Sequence, residues 1–166
     1  MRNIHKATIT AAIVAAGIAT YNYTAPATYT LDRVIDGDTI SINGGTHVRL
    51  AGIDAPELDQ TCNRLTDNNP YHCGYISAVY LSSMFKSGSV LKCDSKGTDD
   101  YTRTVATCTI DGHDIGKSLV SAGQALDWPQ YSHGAYKTDQ DYAQSHKLGI
   151  WSSSFVPPWE WRKYHK

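Results

Sequence analysis

Apolar and polar residues alternate from Tyr29 to Ile42 (YTLDRVIDGDTISI), the period of a half-buried strand, with Asp36-Gly37-Asp38 as a turn inside it. Asn43-Gly44-Gly45 then marks a hairpin, and His47 to Ile53 (HVRLAGI) is a second strand run. Residues 58 to 73 show no period and read as loop. From Ile76 to Phe85 apolar residues recur at helical spacing, and Ser87-Gly88 ends the run. Ser89 to Cys93 and Thr104 to Ile110 are strand runs around a turn-rich stretch, SKGTDDYT, and Asp111-Gly112 closes the second. Asp114 can cap a helix IGKSLVSA that stops at Gly123. Trp128-Pro129 opens a long loop, and Ala135 to Leu148 is a third helical run stopped by Gly149. In the closing FVPPWEWRKYHK, the proline pair forbids regular structure at its start. Strands first, with helices inserted and then appended, predict an α+β domain built on a small barrel, not repeated βαβ units.

Residues 1 to 27 differ from the rest. Arg2 and Lys6 precede an uncharged, small-apolar run from Ala7 to Thr20, and Ala25-Pro26-Ala27 resembles a cleavage site. The run is short for a membrane span, which needs about 20 residues. The segment reads as a signal peptide, with an uncleaved membrane anchor as the alternative. Residues 28–166 form the folded domain. The chain is then exported, secreted or periplasmic, or else anchored and facing outside.

Four cysteines in an exported chain suggest two disulfides, for which three connectivities exist. The local pattern favours Cys62–Cys73, around a polar loop, and Cys93–Cys108, opposite each other on the two strand runs of a hairpin. A zinc site is the alternative, but no C-x-x-C pair is present.

Charge changes the picture next. The 166 residues carry 15 Lys+Arg against 16 Asp+Glu, net −1. Without residues 1–27, which contain two of the basic residues, the balance is 13 against 16, net −3. A hydrophobic content of 41% excludes wholesale disorder, and the balance excludes nucleic-acid binding by bulk positive charge. The acids are lopsided: fourteen Asp and two Glu, Glu57 and Glu160. Asp36 and Asp38 flank a glycine, and Asp54 and Glu57 close the second strand run around Pro56. If the two strands are neighbours, these carboxylates converge, and such a cluster suits a hard divalent cation. Asp-Gly-Asp alone reads first as a plain turn. Arg49, five residues before Asp54, turns the cluster toward phosphate, which a metal and a guanidinium can hold together. A surface Arg49–Glu57 ion pair is the plainer alternative. Arg103, after Asp99-Asp100-Tyr101-Thr102, matters if it faces the same place.

Taken together, VIDGDTI, VRLAGIDAPE, DDYTRTVAT, DIGKSLVSAG and HKLGIW resemble the staphylococcal nuclease (thermonuclease) family in order and spacing, over roughly Tyr29 to Trp161. The cysteines, tail and leader look like its secreted bacterial branch. The resemblance implies an OB-like five-stranded β-barrel with three packed helices. It implies Ca²⁺-dependent hydrolysis of DNA and/or RNA phosphodiesters, preferring unpaired regions and leaving 3′-phosphate ends. Asp38 and Asp54 match the calcium carboxylates, Ala55 the residue lending a backbone carbonyl, and Asp36 the outer acid beside the metal. Glu57 matches the glutamate that orients the attacking water. Arg49 and Arg103 match the arginines that grip the phosphate. Tyr101 matches a tyrosine near that phosphate, and Tyr131 a nucleotide-stacking position. Trp128 reads as a further stacking residue or as loop packing, and Trp159 and Trp161 as packing.

The chain departs from the family pattern at Thr102, where many relatives carry glycine, and at Asp100, where a basic residue would help bind an anion. The loop from Leu58 to Cys73 is longer, and Trp128 to Tyr136 shorter. The resemblance implies a monomer with nucleic acid as its partner and no obligate protein partner. Two rival readings are a non-catalytic OB-fold nucleic-acid binder and a membrane-tethered interaction module.

Overall fold

The structure is a computed structural model and describes residues 28–165; the leader or anchor read at 1–27 lies outside them. The central sheet has seven strands, of which two, Thr28–Tyr29 and His113–Asp114, are two-residue pieces and five form its body: β1 (Leu31–Val34), β2 (Thr39–Ile42), β3 (Thr46–Leu50), β4 (Leu91–Thr98) and β5 (Thr104–Ile110). Their order is β4-β5-β3-β2-β1, antiparallel throughout except for β3 beside β5, where Arg49 pairs with Val105. Thr28–Tyr29 pairs with the free edge of β4, and one residue later β1 pairs with β2. One stretch of chain thus serves both sheet edges, which curls the sheet into the expected OB-like barrel.

The hairpin between β2 and β3 sits where Asn43-Gly44-Gly45 predicts it. All three residues have positive φ, and the Asp32 carboxylate accepts the Gly44 and Gly45 N–H groups at 2.8 and 2.9 Å. The Gly44 bond is the main reason the Asp32 carboxyl lies below the usual carboxylate range. β4 runs past its expected end at Cys93 to Thr98, with a register shift between Ser95 and Gly97. Pairing with β5 overrides the turn preference of SKG, and the turn is confined to Asp99–Arg103.

Ile40, Val48, Leu50, Leu91 and Ala106 fill the barrel. They pack against Leu81 of α1 (Cys73–Ser83) and against Ile115, Leu119 and Val120 of α2 (Ile115–Ser121). Each fully buried side chain of this kind contributes about 1.5–3 kcal/mol. Asp114 caps α2, accepting the Lys117 N–H at 2.9 Å. The third expected helix, α3, is shorter than predicted, Lys137–Ser145.

Besides a single 3-10 turn at Gly149–Ser152, two helical segments depart from the sequence expectation. A single turn, Pro129–Ser132, stands where a loop was predicted, and α4 (Pro158–Tyr164) stands in the tail. In both, proline occupies the first turn, where its missing N–H costs nothing and its fixed φ suits the helix. The loop read at 58–73 also contains short strands, with Cys62–Arg64 paired to Pro70–Tyr71 and to Ser153–Ser154. A second core of Cys62, Cys73, Leu126 and Ile150, with Phe155 and Trp159 against it, packs this segment onto the tail. The disulfides are Cys62–Cys73 and Cys93–Cys108. Among the described residues no helix is long and apolar enough to cross a membrane.

Candidate active site

The Asp-Gly-Asp turn joins β1 to β2 and lies against α1 and the Asp54–Glu57 segment. A Cβ at Gly37 would fall 2.6 Å from the Ala55 Cβ and inside contact distance of the Ser77 hydroxyl. Only glycine lets the turn come this close. The Asp36 carboxylate accepts the Asp38 N–H at 3.0 Å. Asp38 Oδ2 in turn accepts the Ala55 N–H at 2.7 Å. The two acidic motifs are therefore hydrogen-bonded to each other, as their neighbouring strands predict.

Arg49 extends from β3 into this cluster. One guanidinium nitrogen donates to Asp54 Oδ1 at 2.7 Å and to the Ile53 carbonyl at 3.2 Å; another forms an ion pair with Asp38. The Arg49–Glu57 pair considered from sequence does not form. Burial pushes the Arg49 guanidinium down, against the pull of Asp54 and then Asp36. Burial likewise pushes the Asp36 carboxyl up, against the pull of Arg49.

Arg103 enters from the neighbouring strand, just before β5. Asp99 accepts its side-chain Nε–H at 2.8 Å and its backbone N–H at 3.0 Å, and so aims it across the sheet toward Thr39. The Asp99 carboxyl is pushed up by burial, but the bonds from Arg103 outweigh this and hold it below its ordinary value. Thr102, in the position noted for glycine, has φ +64°. This left-handed backbone is unusual for a β-branched residue.

Asp36, Asp38, Arg49, Glu57, Tyr101 and Arg103 line one cleft of about 440 Å³. His47, Trp128 and Arg162 complete its wall. Tyr131 borders an adjoining hollow of about 190 Å³ with Tyr101 and Trp128, and its ring meets the Trp128 ring edge-on at 4.5 Å. Asp54 does not face the cleft. It is fully buried, with Arg49 on one oxygen and Arg162 on both.

Arg162, on α4, is the main residue that sequence reasoning missed. It donates to Asp54 at 3.0 and 2.9 Å and to Glu57 Oε1 at 2.5 Å. These bonds raise its guanidinium above the ordinary value despite burial, which alone would lower it. Trp159 stacks on Trp128 at 6.2 Å, so both act in packing the tail against the site. Asp99 was missed too: its signal, an acid four residues before an arginine, is common on any surface.

Among the described residues no group of three or more His, Cys, Asp or Glu is placed to hold a metal. Asp38 and Asp54 nevertheless converge on one guanidinium. With Arg49 turned to phosphate, the place its guanidinium holds between these two hard carboxylates would suit a divalent cation whose remaining ligands are water, backbone carbonyl and phosphate.

Comparison with known proteins agrees with this geometry. Residues 47–153, from β3 through the end of the short helical turn at Gly149–Ser152, match the family described as staphylococcal nuclease homologue. The chain is 40% identical over 121 residues to the succinoglycan biosynthesis protein ExoI of Rhizobium meliloti, covering 71% of this chain and 61% of that protein. It is 32% identical over 140 residues to an uncharacterized endonuclease of Haemophilus influenzae, covering 81% and 72%. It is 29% identical over 140 residues to endonuclease YhcR of Bacillus subtilis, covering 75% of this chain but 11% of that much longer protein. With an OB-like barrel that carries an arginine–carboxylate cluster on the matched strands, the chain belongs to the staphylococcal nuclease homologue family.

Proposed function

We propose that this chain is a Ca²⁺-dependent nuclease that hydrolyses phosphodiester bonds of DNA or RNA, favours unpaired strands and leaves 3′-phosphate ends. The observation that carries the reading is the meeting of Arg49 and Arg103, from adjacent strands, in one cleft with Asp38 and Glu57. Two guanidiniums and a carboxylate around a cleft are the groups that phosphoryl transfer needs. Two relatives named as endonucleases, those of Haemophilus influenzae and Bacillus subtilis, support it.

In this reading Asp38, Asp54 and the Ala55 carbonyl would hold Ca²⁺, with Asp36 beside them. The bound ion supplies charge that neutralises the phosphate. Glu57 orients the attacking water and accepts its proton. Arg49 and Arg103 bind the phosphoryl oxygens and stabilise the charge that gathers there. Tyr101 flanks the phosphate. Tyr131 offers a ring face to an unpaired base, contributing about 1–3 kcal/mol without sequence preference. The protein acts as a monomer outside the cytoplasm, where its two disulfides persist.

Digestion of single-stranded DNA in Ca²⁺ or in EDTA tests this, using wild type, Glu57→Ala and Arg49→Ala with product ends mapped. Cleavage is expected in Ca²⁺ alone, with 3′-phosphate ends, and a loss of about 10²-fold or more in each variant. Binding without cleavage in either condition would make the protein a non-catalytic nucleic-acid module. Full activity in both variants would remove the site assignment while leaving the nuclease reading.

A further inference from the structure

Resting on that reading, we propose that Arg162 is a positioning residue: the C-terminal helix belongs to the active site and delivers a guanidinium that holds Glu57 and Asp54 in register. Three observations meet here. The first is the bonding itself. One guanidinium makes two bonds to Asp54 and one to Glu57, so its planar fork spans both carboxylates. Asp54 is fully buried next to a second acid, and two ionised carboxylates so placed repel unless a cation sits between them. Arg162 occupies that place and fixes both side-chain rotamers.

The second observation is a separate tether between the same two segments. Gln60, fully buried, accepts the Glu57 N–H at 3.2 Å and donates to the Val156 carbonyl at 2.7 Å. The Gln60 N–H also donates to the Glu57 carbonyl at 2.8 Å. The backbone of Glu57 is thus tied to the chain entering α4, and its side chain to the far end of the same helix. The third is the seat of the helix. Trp159 stacks on Trp128, and the Arg162 guanidinium lies 5.5 Å from the centre of that Trp128 ring. The arginine is held from below while its fork faces the carboxylates.

Its three bonds go to Asp54 and Glu57, so Arg162 acts through Glu57, while Arg49 and Arg103 are the guanidiniums assigned to the phosphate. Removing it frees the Glu57 side chain to sample rotamers that do not hold the attacking water. Losses of about 10- to 100-fold are typical when a partner that orients an active-site ligand is removed.

The test uses the full chain with Arg162→Ala and Arg162→Lys, each made in wild type and in Glu57→Ala. Arg162→Ala is expected to lower kcat by about 10- to 100-fold and leave KM within about twofold, because the groups assigned to the phosphate, Arg49 and Arg103, are untouched. Guanidinium ion, far below denaturing concentrations, should restore part of the loss, and equal NaCl should not. Arg162→Lys keeps the charge but offers no fork, and should remain impaired. In Glu57→Ala, either change should cost little more. In metal-free protein, thermal unfolding of Arg162→Ala, Glu57→Ala and the double variant should show losses smaller together than summed.

Wild-type kcat in Arg162→Ala, or an undiminished further loss in Glu57→Ala, would overturn the assignment, as would a rise confined to KM. If Arg162→Ala does not fold, the lysine variant carries the same comparison. A wild type that cleaves nothing would overturn the nuclease reading and this inference together; an active wild type with an indifferent Arg162 would overturn this inference alone.

Discussion

Gly74→Ala probes whether the start of α1 fixes the catalytic loop. Gly74 lies at the second position of α1 with its backbone against the Glu57 carbonyl. A Cβ built there would fall on the Glu57 carbonyl oxygen, 2.5 Å from the Glu57 carbonyl carbon and 3.1 Å from that of Leu58. Real Cβ atoms essentially never come within 3.0 Å of another heavy atom, so something must shift. The obstacle is backbone, which cannot rotate aside as a side-chain tip can. Gln60 and the Cys62–Cys73 disulfide pin the loop from the other side. Overpacking a core typically costs about 1–3 kcal/mol, and a backbone clash belongs at the upper end, about 3 kcal/mol. For a domain of this size that is a fall in Tm of roughly 10 °C. If the loop yields instead, Glu57 moves by about an ångström, and a displacement of that size can cost about 10²-fold in rate. Calorimetry of the metal-free protein and single-turnover cleavage measure the two losses separately. An alanine variant with wild-type Tm and wild-type cleavage would refute the claim that this contact sets the Glu57 position.

Three further predictions follow from the same structure. Thr102→Gly relieves a left-handed backbone that costs a β-branched residue about 1–2 kcal/mol, offset by glycine's larger entropy loss, so chemical denaturation should show a gain of up to about 1 kcal/mol. Replacing Cys93 and Cys108 with serine opens a loop of sequence separation 15 and should cost about 3 kcal/mol in the same assay. Tyr136 is nearly buried, and burial, then the Asp114 charge, push its phenol from 10.0 up to about 12. The folded state therefore holds this proton more tightly than the unfolded state. That stability is intact below pH 10 and is lost as pH rises through about 12. Tyr136→Phe should lose about 1 kcal/mol less than wild type between about pH 9 and about pH 11, read from urea midpoints.

The barrel strands were readable because each level of their sequence agrees. Alternation, the Asp-Gly-Asp turn and Asn43-Gly44-Gly45 all specify one register for β1 to β3, and a slip of one residue would expose Ile40 and Val48. Where levels conflict, tertiary pairing decides. Ser95-Lys96-Gly97 has turn composition but lies in β4 because Ser95 and Gly97 find partners across the hairpin in Ala106 and Val105. The proline-led helices were hidden for a different reason. Trp128-Pro129 reads as the opening of a loop and Pro157-Pro158 as a block to regular structure, but a proline terminates a helix from within and starts one from its first turn.

The site shows the same boundary between local and distant information. Asp36, Asp38, Arg49 and Glu57 lie within two short motifs on paired strands, so their meeting follows from the hairpin. Arg162 stands 105 residues from Glu57, and tertiary contacts of the tail, the Trp159–Trp128 stack and the Gln60–Val156 bond among them, bring it back. Its arrival changes the charge argument. Asp36, Asp38, Asp54 and Glu57 carry four negative charges when ionised. Arg103 is answered by Asp99, which leaves Arg49 and Arg162 to oppose them with two positive charges. Two negative charges remain uncompensated, the charge that one divalent cation would cancel. With Asp54 enclosed by two guanidiniums, the oxygens of Asp38 and Glu57 that line the cleft are where that residual charge meets solvent. The tail arginine thus determines how much of the cluster's negative charge is left for an incoming cation.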